Sequence, residues 1–203
     1  MNFWIAGVGG GMTRWLAIRL SKCKSHAVFH EHDRKQIPAR PMFGPLRYEP
    51  FPIERWLKYA FPYGECHQHL TRSLIGPPGA ERLIPRRAIL LRNTRETVRS
   101  WLGNKQAKDA PVAAITYMVV RRQQALKDYA ATDSDCRILR AENLVAGVDA
   151  LQDLSDWIGM SIQYSAVDMR PLNVTPESRR FTWTPAAERE YNATCERFGE
   201  PVI

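Results

Sequence analysis

The 203-residue sequence lacks the features that mark secreted or membrane-inserted proteins. Its four cysteines are scattered, with no C-x-x-C pair; two disulfides are still arithmetically possible, but nothing else suggests secretion. The first residues show no basic segment followed by a small-residue cleavage site. No apolar run approaches the roughly 20 residues that a membrane span requires. We therefore expect a reduced, cytoplasmic protein without a membrane span.

The composition is that of one globular domain, which we expect to occupy residues 1–203. Apolar residues make up 44% of the chain and charged residues 25%, with no internal repeat and no low-complexity tract. The net charge of +8 favours an anionic partner, such as a nucleotide, a phosphate, a sulfated glycan or a nucleic acid. Charge alone does not choose among these partners.

Short apolar runs alternate with helical patterns along the chain. The runs predict strands over residues 3–8, 27–30, 86–93 and 136–140, and GECHQHL, residues 64–70, reads as a further short strand. The helical patterns fall between Thr13 and about Lys24, after a Thr94 cap, over 111–130, within 144–160 up to Gly159, and from Pro185 onward. This alternation predicts an α/β fold, a three-layer sandwich around a mostly parallel central sheet.

A proline-dense segment, residues 37–52, interrupts this alternation and suits neither a regular helix nor a central strand. Long loops in small domains are often binding segments or lids. The segment is a candidate acceptor-facing region, and a surface wrap is the alternative.

Three consecutive glycines follow the first predicted strand. Gly9, Gly10 and Gly11 allow a sharp turn whose N–H groups approach an anion, and a helix starting near Met12 adds its positive end. The Thr13 hydroxyl is a further donor. No Lys precedes Thr13, so the Walker pattern G-x-x-x-x-G-K-[ST] is not met. A purely structural turn is the alternative interpretation.

A second motif reads RNTRETVRS, residues 92–100. Arg92 ends a predicted strand and Ser100 follows eight residues later in a helix. If the helix folds back along the sheet, the Arg fork and the Ser hydroxyl can converge on one phosphate. Taken alone, Arg92 is equally well explained as a solvent-exposed residue at the end of a strand.

Together these motifs resemble the sulfotransferases that use 3′-phosphoadenosine-5′-phosphosulfate (PAPS). The segment GGGMTRWL (9–16) is similar to their loop P-[KR]-S-G-T-T-W-L, and RNTRE (92–96) to R-[ND]-P-R-[DE], with Thr94 in place of Pro. HQHL (67–70) resembles their K-T-H-L strand, and the ENL of residues 142–144 resembles their R-Y-E-D-L segment. The resemblance covers residues 3 to about 160 and implies a P-loop-like architecture.

The resemblance also implies roles for individual residues. Residues 9–14 would hold the 5′-phosphosulfate, Arg92 and Ser100 the 3′-phosphate, and His69 would remove the proton of an acceptor hydroxyl. Trp15 would stack on adenine. Weaker similarity in ESRRFTW (177–183) would bring Arg179 and Arg180 to the 3′-phosphate, although the glycines of the family pattern are missing.

The chain departs from the family most clearly at the loop cation. Gly10 stands at the Lys or Arg position, so Arg14 and His67 are the candidates to compensate for the missing charge. The nonenzymatic alternative is a sulfotransferase-like protein that only binds the nucleotide or a partner. A P-loop kinase is disfavoured by the absent Lys. The expected acceptor is a hydroxyl-bearing small molecule or glycan, and nucleic acid is not expected.

One further cluster, HEH at residues 30–32, places two histidines on the same face of a strand. A metal site there would need further ligands, so no metal is expected.

Overall fold

The computed structural model describes residues 1–30, 62–67, 84–103, 107, 109–169 and 181–200. Within these ranges strands and helices alternate, as the apolar pattern predicts. The strands are β1 (Phe3–Gly7), β2 (Ala27–His30), β3 (Tyr63–His67), β4 (Arg86–Leu91) and β5 (Cys136–Arg140). The helices are α1 (Thr13–Leu20), α2 (Thr94–Leu102), α3 (Val112–Thr132), α4 (Ala141–Ala146), α5 (Val148–Ile158) and α6 (Pro185–Arg197), with a short 3-10 turn at Ala166–Met169.

The strands form one sheet in the order β2-β3-β1-β4-β5, and every neighbouring pair is parallel. The first strand is central: Ala6 lies beside His67 of β3 on one side and beside Ile89 of β4 on the other. Since all strands run in one direction, their carboxyl ends meet at one edge. The α/β class and the parallel sheet are confirmed.

Helices cover both faces of the sheet, since the central strand β1 is buried throughout and β4 is buried over Ala88–Leu91. Phe3 and Ile5 point into one core, and Trp4 and Ala6 point into the other, as strand alternation requires. The first core is completed by α1, α4 and α5. The second is completed by α2, α3 and α6. Three layers result.

Several boundaries differ from the sequence prediction by a few residues: α1 ends at Leu20 rather than near Lys24, and β4 ends at Leu91 rather than at 93. The helix predicted within 144–160 is present as α5 (Val148–Ile158), and a separate helix, α4, precedes it because Gly147 is extended (φ −168°) between the two. Helix α5 does end at Gly159, whose φ of 81° suits glycine. Helix α2 is capped by Asn93 rather than by Thr94: the Asn93 side chain accepts a hydrogen bond from the Glu96 N–H at 3.1 Å.

Helix α6 starts as predicted, with Pro185 in its first turn and Thr184 as its cap. Among the described residues, no helix combines the length and the apolar character needed to cross a membrane.

Candidate functional site

The turn after β1 is tight and left-handed. The Gly11 N–H donates to the Val8 carbonyl oxygen at 2.7 Å, and φ is 77° at Gly10 and 72° at Met12. Helix α1 begins immediately afterwards at Thr13. Within the described part of the chain no side chain caps this helix, and its first turn carries no acidic residue. The positive end of α1 therefore lies at the carboxyl edge of the sheet without a compensating side-chain charge of its own.

Helix α2 packs directly against this turn, which explains two of the three glycines. A Cβ at Gly9 would lie 2.4 Å from the Trp101 ring, and the Trp101 Nε1–H donates to the Gly9 carbonyl oxygen at 2.5 Å. A Cβ at Gly10 would lie 3.1 Å from Ser100 Oγ. Ser100 is exposed. The close approach of α2 brings the serine of the second motif onto the glycine turn of the first.

Arg92 joins the same place from the end of β4. Its Nη1 donates to the Gly10 carbonyl oxygen at 2.7 Å, and its Nη2 lies 3.9 Å from Glu96 Oε2. Burial lowers the pKa of Arg92, and the charges of Glu96 and Glu142 partly oppose this. A guanidinium carries five N–H donors. Among the described contacts only the bond to Gly10 is a hydrogen bond, so the fork retains donors for an anion.

The turn that carries Arg92 is held by a buried glutamine. Gln123 of α3 donates from Nε2 to the Arg92 carbonyl oxygen at 2.7 Å and accepts from the Thr94 hydroxyl at 3.0 Å. On the other side, the Asn93 N–H donates to Glu142 Oε1 at 2.7 Å. Sequence reasoning missed Gln123, although a polar residue between the apolar Val119 and Leu126 on a buried helix face is a readable signal.

On the opposite flank of the turn, Thr13 is almost fully buried. Its hydroxyl lies 3.2 Å from Nε2 of His30, the last residue of β2. His67 ends β3 beside Ala6, so its backbone lies at the carboxyl edge. The structure thus places Thr13, Arg92 and Ser100 around one turn.

Two other predicted residues lie on α1. Arg14 is exposed in the first turn. Trp15 is 6% exposed and packs in the apolar core, with the Arg19 guanidinium 5.6 Å from its ring. Core packing accounts for the position of this ring, and its stacking on adenine stays a prediction.

The remaining predicted residues, His69, Arg179 and Arg180, lie outside the described residues, as does the proline-dense segment 37–52. In the described portion of the chain, no group of three or more His, Cys, Asp or Glu side chains is placed to hold a metal ion.

These features define an α/β protein with a parallel sheet. A glycine turn follows its central strand β1, and an arginine and a serine converge on that turn. No protein-family model matches the chain, and a search of curated proteins finds no significant match. Function must therefore be inferred from the site itself.

Proposed function

We propose that this protein is a PAPS-dependent sulfotransferase that transfers a sulfuryl group to an acceptor hydroxyl. The observation that carries the proposal is the meeting of Arg92 and Ser100 at Gly10. Two residues eight positions apart in sequence, both suited to a phosphate, come together on a glycine turn at the start of a helix. In parallel α/β sheets, ligands bind at the carboxyl edge.

The site fits the two anionic groups of the donor. The spare donors of Arg92 and the exposed Ser100 hydroxyl suit the 3′-phosphate. The positive end of α1, beside Gly11 and Met12, suits the 5′-phosphosulfate, as helix N-termini suit anions generally. Arg179 and Arg180 remain candidates for the 3′-phosphate. The order of strands supports this division, because β4 with Arg92 and β3 with His67 flank β1 on opposite sides.

In the proposed reaction, the acceptor oxygen attacks sulfur and forms a new S–O bond. The bond between sulfur and the bridging oxygen breaks, and 3′,5′-ADP leaves with the electron pair. The acceptor proton passes to His69, since a neutral imidazole removes protons efficiently near neutral pH. Negative charge grows on the bridging oxygen, and the α1 N-terminus, Arg14 and His67 are the groups we assign to stabilise it.

The base assignment is tested by His69→Ala. We expect the variant to bind 3′,5′-ADP like the wild type and to lose transfer by about 100-fold or more, the effect typical of losing a general base. Paired calorimetry and a radiolabelled sulfate-transfer assay measure the two quantities. Unchanged transfer would remove His69 from the mechanism.

The donor site is tested by calorimetric titration, which needs no knowledge of the acceptor. We expect 3′,5′-ADP to bind at least about tenfold more tightly than 5′-AMP, since only the former offers a 3′-phosphate to Arg92 and Ser100. Equal affinity for the two nucleotides, or no binding of either, would contradict the proposal.

A second candidate function is nucleotide or partner binding without catalysis. The absence of Lys and Arg from residues 9–12 favours it, because a cation near the leaving oxygen is a strong contributor to such reactions. Selective 3′,5′-ADP binding without sulfate transfer to a broad panel of phenols, alcohols and glycans would support this second function.

A further inference from the structure

Gln123 is a buried polar residue in the middle of the longest described helix. It is 4% exposed and lies on the face of α3 that carries Val119 and Leu126. Both ends of its amide are engaged: Nε2 donates to the Arg92 carbonyl oxygen and Oε1 accepts from the Thr94 hydroxyl. One side chain thus holds the residues on both sides of Asn93.

The two hydrogen bonds of Gln123 act on stability and on local conformation together. An apolar residue of similar size would fill the same space but leave the Arg92 carbonyl oxygen and the Thr94 hydroxyl without this partner. Because both partners of the buried amide lie in one turn, the amide also fixes the conformation of that turn. The turn it fixes is the one from which Arg92 reaches the Gly10 carbonyl oxygen.

The residue at position 94 strengthens this view. Thr94 is the first residue of α2 and stands where the resembling R-[ND]-P-R-[DE] pattern has Pro. A proline there would restrict the backbone covalently, since it fixes φ and suits the first helical position. In this chain the hydroxyl of Thr94 bonds to Gln123, so a hydrogen bond takes over the restraint.

We propose that Gln123 is a positioning residue: it holds the turn 92–94 so that the Arg92 guanidinium is set for the 3′-phosphate. This inference rests on the proposed function. Gln123 contacts the backbone and hydroxyl of the turn, not the nucleotide. Its loss therefore weakens recognition of the 3′-phosphate selectively and leaves the rest of the nucleotide site intact.

The test is Gln123→Met, which keeps the approximate volume and removes both hydrogen bonds. We expect affinity for 3′,5′-ADP to fall about tenfold, the effect of losing about one net hydrogen bond, with affinity for 5′-AMP unchanged. The matched control is Gln124→Met: this neighbour is exposed and bonds only to Asp128 among the described residues, at 2.6 Å. The control retains wild-type affinity for both nucleotides.

A rescue variant separates positioning from general stability. The extended ψ of 128° at Asn93 is compatible with a following proline. We expect Thr94→Pro to restore most of the 3′,5′-ADP affinity in the Gln123→Met background. If Gln123 acted on stability alone, Gln123→Met would weaken binding of both nucleotides alike, and proline at position 94 would not restore the 3′,5′-ADP affinity.

The outcomes distinguish this inference from the proposed function. If wild-type protein does not prefer 3′,5′-ADP over 5′-AMP, the proposed function fails and the inference falls with it. If the wild type shows the preference and folded Gln123→Met keeps it, only the inference is overturned. Should Gln123→Met not fold, Gln123→Glu keeps the size of the side chain and the acceptor for Thr94 but replaces the Nε2 donor to the Arg92 carbonyl oxygen. A retained preference in Gln123→Glu then overturns the inference, and a selective loss supports it.

Discussion

The two ends of strand β4 carry arginines in opposite chemical situations. At the amino end, Arg87 donates from Nε and Nη2 to the Asp133 carboxylate at 2.6 and 2.8 Å, and from Nη1 to the Ile84 carbonyl oxygen at 2.9 Å. The hydrogen bonds that Arg87 donates to Asp133 raise the pKa of Arg87 despite burial. At the carboxyl end, the pKa of Arg92 is lowered by burial, and its described hydrogen bond is to the Gly10 carbonyl oxygen.

This difference separates a structural arginine from one suited to binding. Arg87 makes a bidentate ion pair with a carboxylate, so its guanidinium donors are already used. Arg92 has lost water without gaining a close carboxylate, since Glu96 Oε2 is 3.9 Å away. A partly desolvated cation whose described ion pair is this long is stabilised further when a ligand supplies a closer anion, and perturbed groups of this kind cluster at functional sites.

The largest effect is expected at the amino end, from Asp133→Ala. Asp133 and Arg87 are only 13% and 15% exposed as side chains, so removing the carboxylate leaves a poorly solvated guanidinium. We expect the free energy of unfolding to fall by about 3 kcal/mol, as measured by urea denaturation. Asp153→Ala, which breaks the more exposed pair with Arg137, is the control and should cost under about 1 kcal/mol. Similar losses in the two variants would contradict the comparison.

The ion pair between Arg87 and Asp133 also makes the free energy of unfolding depend on pH. Hydrogen bonds from Arg87 hold the pKa of Asp133 below its usual range in the folded state. Ionised Asp133 therefore stabilises the folded state fully above its unfolded pKa of about 4. This stabilisation is lost as the pH falls through the lower pKa that Asp133 has in the folded state. The difference in unfolding free energy between the wild type and Asp133→Ala should narrow on acidification below about pH 4. A constant difference would count against this assignment.

The next largest effect is expected at the carboxyl end, from Arg92→Ala. Loss of a charge-assisted pair should weaken 3′,5′-ADP binding by about 10- to 100-fold while changing 5′-AMP binding little. Calorimetry measures both ligands. Arg189→Ala removes the same charge from an exposed position on α6 and serves as the control. Equal losses for the two nucleotides would take Arg92 out of the 3′-phosphate site.

A smaller effect is expected from Gly10→Ala. Its positive φ disfavours an L-residue by roughly 1–2 kcal/mol, and the new Cβ would press on Ser100 Oγ. We expect lower stability in urea and weaker 3′,5′-ADP binding together. Gly147→Ala is the matched control, because that glycine is extended and a Cβ there would meet no atom within 4 Å. If Gly10→Ala changed neither the stability in urea nor the binding of 3′,5′-ADP, the turn would accept a Cβ and this prediction would be wrong.

The smallest effect is expected from Glu96→Gln, which removes the negative charge near the Arg92 fork. Since exposed ion pairs are worth under about 1 kcal/mol, we expect binding of 3′,5′-ADP to tighten by about two- to threefold, most visibly at low salt. Glu190→Gln on the exposed face of α6 controls for net charge. Weaker binding in Glu96→Gln would show that the carboxylate supports the site rather than competing with the ligand.

Much of the fold could be predicted from local sequence. Short stretches such as AVFH and CRILR coincide with the edge strands β2 and β5 because Val, Phe and Ile favour extended structure. Pro185 at the start of α6 and Gly159 after α5 are helix boundaries that follow from backbone chemistry alone. The spacing of Arg92 and Ser100 was equally readable, because a strand end and the following helix are fixed by a short connection.

Other parts of the site could not be predicted, because they depend on contacts between distant residues. Trp101 bonds to Gly9 across 92 positions, and Glu142 bonds to the Asn93 N–H across 49. Trp15 illustrates the same limit, since an aromatic residue near a helix start suits a ligand and a core equally well. Only the packing of α1 on the sheet places its ring in the core.

By itself, the sequence determined the alternation of strands and helices, the glycine turn and the arginine–serine spacing, since each follows from local backbone preference or short-range geometry. The tertiary structure decided which face each helix covers, and that α2 packs on the turn closely enough to exclude a Cβ at Gly9. It also decided that Gln123 holds the Arg92 turn. Those outcomes depend on strand order and on side-chain packing between elements far apart in the chain, which local preference does not encode.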